Sequence, residues 1–149
     1  MSITALLAEI LFIGHSLIGP SLPGLVESAA RNRRIEVVSH YQIINGAPLD
    51  WNWKHAHEAE GVDGRALLSA GGIDHVIMTE AIPLAAHLRW SDSAGAAKRF
   101  YDLAIEGNPD AQVWLYETWH GLDSGTERAN PDDPDSGVPW RQRLVDDLP

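Results

Sequence analysis

The residues able to do chemistry stand directly after runs of apolar residues. Ile10-Leu11-Phe12-Ile13 is a short uninterrupted apolar run that stops at Gly14, and His15-Ser16-Leu17 follows it. A serine on a turn leading from a buried strand toward a helix sits where backbone N–H groups converge and can hold a developing oxyanion. Ser16 is therefore a candidate nucleophile for acyl transfer, with the hydrogen bonding of its own loop as the plainer role. Three other segments have the same setting. Asn45-Gly46 follows Ile35–Ile44, Thr79-Glu80 follows Val76-Ile77-Met78, and Glu117-Thr118-Trp119-His120 follows Ala111–Tyr116. Of the seven histidines, His120 is the best placed to serve as a base, and packing its loop or facing substrate is the alternative. His15 adjoins Ser16, but adjacent side chains diverge, so it reads as a turn or supporting residue. His40, His75 and His87 carry no signal.

Other chemistries fit less well. His55-x-His57-Glu58 and Glu117-x-x-His120 each place metal-ligand types close together. On a helix the first pair would point about 200° apart. The second lies at a strand end, whereas an i, i+3 ligand pair needs a helix. Asn130–Gly137 is acidic, but no frame matches a calcium loop. Neither Gly-x-Gly-x-x-Gly nor the Walker pattern follows the first apolar run, so a phosphate cradle has no basis. No metal and no cofactor is expected. Trp51, Trp53 and Trp90 could line a sugar-binding surface or belong to a partly buried core.

The elements that must position these residues follow from periodicity. Ile10–Ile13 suits a strand buried on both faces of a parallel sheet. Leu22, Leu25, Val26, Ala29 and Ala30 recur at helical spacing, with Ser21 as a cap and Pro23 in the first turn, so a helix runs from Leu22 to about Arg33. Ile35–Ile44 is a second strand, closed by the turn cluster Asn45-Gly46-Ala47-Pro48. Leu49–Ser69 is mixed, with one possible helical turn around Trp51–His57 and another at Arg65–Ser69. Val76–Met78 is a third strand. After a loop, Ala97, Phe100, Tyr101, Ala104 and Ile105 mark a helix that starts at Ser91 or Ser93 and stops at Gly107-Asn108-Pro109. Ala111–Tyr116 is a fourth strand. Gly121–Pro139 reads as a mobile loop rather than an active-site wall, and Trp140–Leu148 as the beginning of a helix. Strands alternating with helices predict a parallel, doubly wound sheet covered on both faces, with ligands bound beyond the carboxyl ends of its strands. All four candidate segments fall on that edge.

Composition narrows the function classes. The chain has 149 residues and no cysteine, and 11 basic against 21 acidic side chains leave a net charge of −10. That is one domain able to build a core without disulfides. The acidic balance argues against nucleic acid, whose phosphates are met by clustered Lys and Arg. The one short basic cluster, Arg31, Arg33 and Arg34, reads as the last turn of a helix. The apolar stretch Ile3–Ile13 is interrupted by Glu9 and is about half the length a membrane span needs. With no basic leader and cleavage site before it, the expected compartment is cytoplasmic.

Ile10–Leu17 resembles the first block of the SGNH (GDSL-like) hydrolases, in which a Gly-Asp/Asn-Ser turn after the first strand carries the nucleophile. Asn45-Gly46 looks like the second block, Val76–Glu80 falls at the third, and Leu115–Trp119 is similar to the Tyr-x-Thr-Trp segment of one branch. The resemblance implies a flavodoxin-like three-layer α/β/α domain over residues 1–149. It implies a serine esterase or acyl hydrolase acting on a small-molecule or glycan ester, including acetyl groups on carbohydrate. Ser16 is then the nucleophile, and the N–H groups of Ser16 and Gly46 form the oxyanion hole. His15, Asn45, Thr79, Glu80, Glu117 and His120 line the edge. Two departures follow from the same comparison. Glu80 stands where the family has an oxyanion-donating Asn, and its carboxyl group can donate only if protonated. The family's Asp-x-x-His block, which supplies the base beyond a fifth strand, has no counterpart before Pro149. The expectation is a domain incomplete at its C-terminus, truncated after the fourth strand and by itself inactive. The competing class is a non-catalytic flavodoxin-like module that holds a glycan or small acid at the same edge.

Overall fold

A computed structural model describes residues 7–82 and 84–117. His120, with Thr118 and Trp119, the Gly121–Pro139 segment and the Trp140–Leu148 helix expected from sequence all lie outside them.

The first strand, β1 (Leu7–Gly14), is the centre of the sheet. It pairs in parallel with β2 (Glu36–Ile43) on one side and β4 (His75–Thr79) on the other. β4 pairs in parallel with β5 (Gln112–Tyr116). A two-residue strand, β3 (Glu60–Gly61), adds antiparallel to β2, so the order is β3-β2-β1-β4-β5 and the sheet is mostly rather than wholly parallel. The four long strands run β2-β1-β4-β5, the neighbours that a flavodoxin-like sheet requires. The arrangement is a mixed α/β sheet flanked by helices, consistent with a flavodoxin-like fold.

The unbroken apolar run of β1 is explained by two cores. Leu11 and Ile13 point into one with Val76, Met78, Leu49, Leu68 and Phe100, while Ile10 and Phe12 point into the other with Ile18 and Ile43. Residues alternate along a strand, so a strand covered on both sides has no polar position to spare. The second core is closed by α1 (Ser21–Asn32) through Leu22 and Val26. The first is closed by α2 (Leu49–Lys54), α3 (Gly64–Ala70) and α5 (Ser93–Gly107).

Several local expectations are corrected. Leu25 is 65% exposed and Ala29 is also outside, so the inward stripe of α1 is buried Pro23 with half-buried Leu22, Val26 and Glu27, whose carboxylate accepts the Ser39 N–H of β2. Likewise α5 buries Ser93, Ala96, Phe100 and Ala104 while Tyr101 faces out. Both stripes are rotated because several registers of apolar residues compete, and the sheet selects one. Ser21 does not cap α1, and Ser93 Oγ donates instead to the His87 carbonyl at 3.3 Å. The loop expected before α5 contains α4 (Leu84–Trp90), too short to leave a periodic signature. The mixed region 49–69 resolves into α2, a 3₁₀ turn at Ala56–Glu58, β3 and α3. Asp63 caps α3 by accepting from the Arg65 and Ala66 N–H groups.

Candidate functional site

Four parallel strands deliver their carboxyl ends to one edge. Gly14 is in register with Ile43, and the Ile44 N–H donates to the Gly14 carbonyl at 3.1 Å, so the segments carrying Ser16 and Asn45-Gly46 leave the sheet side by side. On the other flank a Cβ built on Gly14 would lie 2.5 Å from Thr79 Cγ2, so only glycine lets β1 and β4 end this close together.

Beyond Gly14 the chain turns through residues 15–20 into α1. His15 is 3% exposed while Ser16 and Leu17 face solvent. The His15 Nε2–H donates to the Glu80 carbonyl at 3.1 Å, which leaves Nδ1 as the acceptor facing the Leu17 N–H at 3.5 Å. Burial holds the His15 pKa below its ordinary 6.5, against the opposing pull of that carbonyl and of the Glu80 carboxylate. The ring lies buried under the serine turn and away from bulk solvent.

The second segment forms a tight turn in which the Ala47 N–H donates to the Ile44 carbonyl at 3.1 Å and Gly46 takes φ +68°. A positive φ at the third turn position favours glycine. Asn45 and Gly46 are exposed. Neither the Ser16 N–H nor the Gly46 N–H meets an acceptor among the described residues. These are the two groups expected to stabilise an oxyanion.

Glu80 is 8% exposed, and its contacts explain why a carboxylate occupies this position. Oε1 accepts from the Ala81 N–H at 2.6 Å and from the Leu49 N–H at 3.1 Å, and Oε2 lies 3.4 Å from the latter. Leu49 opens α2, so the negative charge meets the free N–H end of a helix. Glu80 thus ties the end of β4 to the helix that follows the Gly46 turn. Thr79 is fully buried, and its hydroxyl donates to the Tyr116 carbonyl at 3.1 Å, so it joins β4 to β5 rather than facing the edge. Glu117 is exposed at the end of β5.

Two residues that the sequence analysis passed over complete the support. Asn52 is fully buried on α2, and its Nδ2 lies 3.2 Å from the Gly14 carbonyl, 3.3 Å from that of Ala47 and 3.3 Å from that of Pro48. Gln42, buried on β2, donates through Nε2 to the Asn52 carbonyl at 2.9 Å and Oδ1 at 3.2 Å, while its Oε1 accepts the Gly64 N–H at 2.8 Å. Gln42 interrupts an otherwise apolar strand end, and Asn52 falls between two tryptophans. A polar residue in an apolar context was the available signal.

The tryptophans separate. Trp53 meets Phe100 edge-on at 4.9 Å, with the guanidinium groups of Arg65 and Arg99 5.7 and 5.6 Å from its ring, so it belongs to the packing of α2 on α5. Trp90 is 75% exposed on α4. Trp51 is about half exposed and stacks on His55 with ring centroids 3.8 Å apart. His55 and His57 do not diverge as a continuous helix would require, because α2 ends at Lys54. Both approach Glu58 Oε1, at 3.1 and 3.5 Å. Among the described residues no group of three His, Asp or Glu side chains is arranged to hold a metal ion, and no helix is long and apolar enough to cross a membrane.

At the opposite end of α1, a shallow cleft of about 370 Å³ is bordered by Glu27, Arg31, Arg34 and Glu36. The expected basic last turn holds only Arg31, and Arg34 adopts φ 62° beyond the helix end.

No family model matches the chain, and no curated protein does. Among solved structures it is similar to a DUF4886 family protein from Bacteroides uniformis ATCC 8492, at 13% identity and a TM-score of 0.61. The match covers 84% of this chain and 53% of that one, so the chain spans about half the length of this neighbour. At this identity the likeness is one of fold alone.

Proposed function

We propose that the protein is a serine ester hydrolase of the SGNH type. Ser16 Oγ attacks the ester carbonyl, and the Ser16 and Gly46 N–H groups receive the developing oxyanion. The observation carrying this reading is that exposed Ser16 and exposed Gly46, whose N–H groups meet no acceptor among the described residues, follow adjacent strands at one edge. His15 is not the base in this scheme, since its ring is buried and bonded to the Glu80 carbonyl. The proton of Ser16 passes to an imidazole supplied by residues outside those described, which returns it to the departing alcohol as the ester C–O bond breaks, and water then hydrolyses the acyl-serine to release the acid and restore Ser16.

A fluorophosphonate probe tests the proposal on the full-length protein. The expected result is labelling at Ser16 that Ser16→Ala abolishes, and equal labelling of the two would refute the nucleophile. The turned-away His15 also suits the second reading, a module that binds a glycan or small acid at this edge without turnover. Binding without labelling or hydrolysis would favour that module, and an Asp-x-x-His segment beyond one more strand would favour the enzyme.

A further inference from the structure

The two proposed oxyanion donors belong to separate segments, and no hydrogen bond among the described residues joins the Ser16 turn directly to Gly46. The Ile44 N–H bond to the Gly14 carbonyl fixes where the two segments part, and beyond that point their spacing is left to side chains. One buried side chain reaches both segments. The Asn52 amide donates toward the carbonyl of Gly14, two residues before Ser16, and toward the carbonyl of Ala47, the residue after Gly46. Asn52 is itself held on its far side by Gln42, which is anchored to the Gly64 N–H at the start of α3.

We infer that Asn52 is a positioning residue that sets the separation of the Ser16 and Gly46 N–H groups. The inference rests on the esterase reading and adds to it a residue that touches neither substrate nor nucleophile. Both segments are exposed loops, and exposed loops drift unless tied to a rigid element. The amide is well suited to the tie because it offers two donors in one plane and keeps an oxygen for Gln42. Leucine would fill the space without any donor. Aspartate would set acceptor oxygens against three carbonyls. Misplacing a catalytic donor by about 1 Å costs on the order of 10²-fold in rate, so loss of the tie should be visible in turnover before it is visible in binding.

The test uses the full-length protein, a soluble aryl ester, and the variants Asn52→Asp and Asn52→Ser. The serine variant keeps a local bond to the Pro48 carbonyl one turn back, as helical serines do, but is too short to reach Gly14. It is the variant expected to fold with least disturbance. Ile10→Ala serves as control, because it lies on the opposite face of the sheet, early in β1, and destabilises through packing alone. The expected result is a kcat lowered by about tenfold or more in both Asn52 variants with KM within about threefold, while Ile10→Ala at matched loss of Tm keeps its kcat.

A kcat within about twofold of wild type in the Asn52 variants would overturn the inference, as would an equal fall in Ile10→Ala. In the wild type, the Asn52 side-chain amide protons should exchange slowly and give nuclear Overhauser effects to Gly14 and Ala47. Absence of both would overturn it however the variants fold. A wild-type protein that neither hydrolyses esters nor labels at Ser16 would overturn the esterase reading and this inference with it, an outcome distinct from an active enzyme indifferent to Asn52.

Discussion

Removing the Glu80 carboxylate tests whether the candidate edge is assembled by that group. In Glu80→Ala the Leu49 and Ala81 N–H groups lose their acceptor in a site that is 8% exposed. Each buried donor left without a partner costs about 1–3 kcal/mol, and loss of negative charge at the start of α2 adds about 0.3–1 kcal/mol. The sum is about 2–7 kcal/mol, a large share of the roughly 5–15 kcal/mol that stabilises a domain. Glu80→Gln is milder. Its amide oxygen can take the place of Oε1 and keep both bonds, but as neutral ones. The difference between charged and neutral hydrogen bonds is about 1 kcal/mol each, so the expected cost is about 2 kcal/mol. For a chain of this size that corresponds to about 4–8 °C in Tm. Urea unfolding followed by tryptophan fluorescence measures both variants, with Trp51 and Trp53 reporting from α2 itself. Amide exchange at Leu49 and Ala81 should accelerate in Glu80→Ala more than at Val76. A Glu80→Ala protein within about 1 kcal/mol of wild type would refute the assignment, since two buried donors cannot lose their acceptor that cheaply. On the proposed esterase reading, Glu80→Gln should also lower kcat/KM, because the helix that Glu80 holds follows the Gly46 turn. Lost stability with an unchanged rate would make Glu80 structural only.

Gly14→Ala should destabilise by about 1–3 kcal/mol through overpacking against Thr79 and Ile18, whereas Gly24→Ala in α1, where an added methyl meets nothing within 4 Å, should stabilise by about 0.4–1 kcal/mol; thermal melts that fail to separate the two would contradict the packing described. His15 is held below its ordinary 6.5, so the unfolded chain takes up a proton that the folded ring refuses. Its contribution to stability is complete above about pH 6.5 and falls below it, by at most about 1.4 kcal/mol per pH unit, until the folded ring also titrates. Urea midpoints across that range should show the slope in wild type and a flatter one in His15→Gln, and identical slopes would exclude His15 as the source. Among the described residues β5 pairs on one side only, with Trp114, Leu115 and Tyr116 each more than half exposed, so the 149-residue chain should self-associate in sedimentation and Leu115→Lys should suppress it, charge being the usual protection of an open strand edge. A concentration-independent monomer would refute this.

The sequence by itself determined the main architecture because its strongest signals are long and local. An apolar run such as Ile10–Ile13 can be buried on both faces only in a covered parallel sheet, and α1 and α5 are long enough for their periodicity to register. It also located the candidate edge, since Ser16, Asn45-Gly46, Glu80 and Glu117 all follow strands whose direction alternation with helices already implied. What only the tertiary structure decided is which face of each helix the sheet takes, as Leu25 and Tyr101 illustrate, and which small elements exist at all. α4 and β3 are too short to carry a pattern, and they form because their neighbours supply partners. The same holds for the support of the site. Nothing in the local sequence says that Glu80 will meet the Leu49 N–H 31 residues away, or that Asn52 will reach Gly14 across 38 residues. Those bonds form because burial leaves backbone donors and acceptors without water, and the fold brings to each the one polar side chain that can satisfy it.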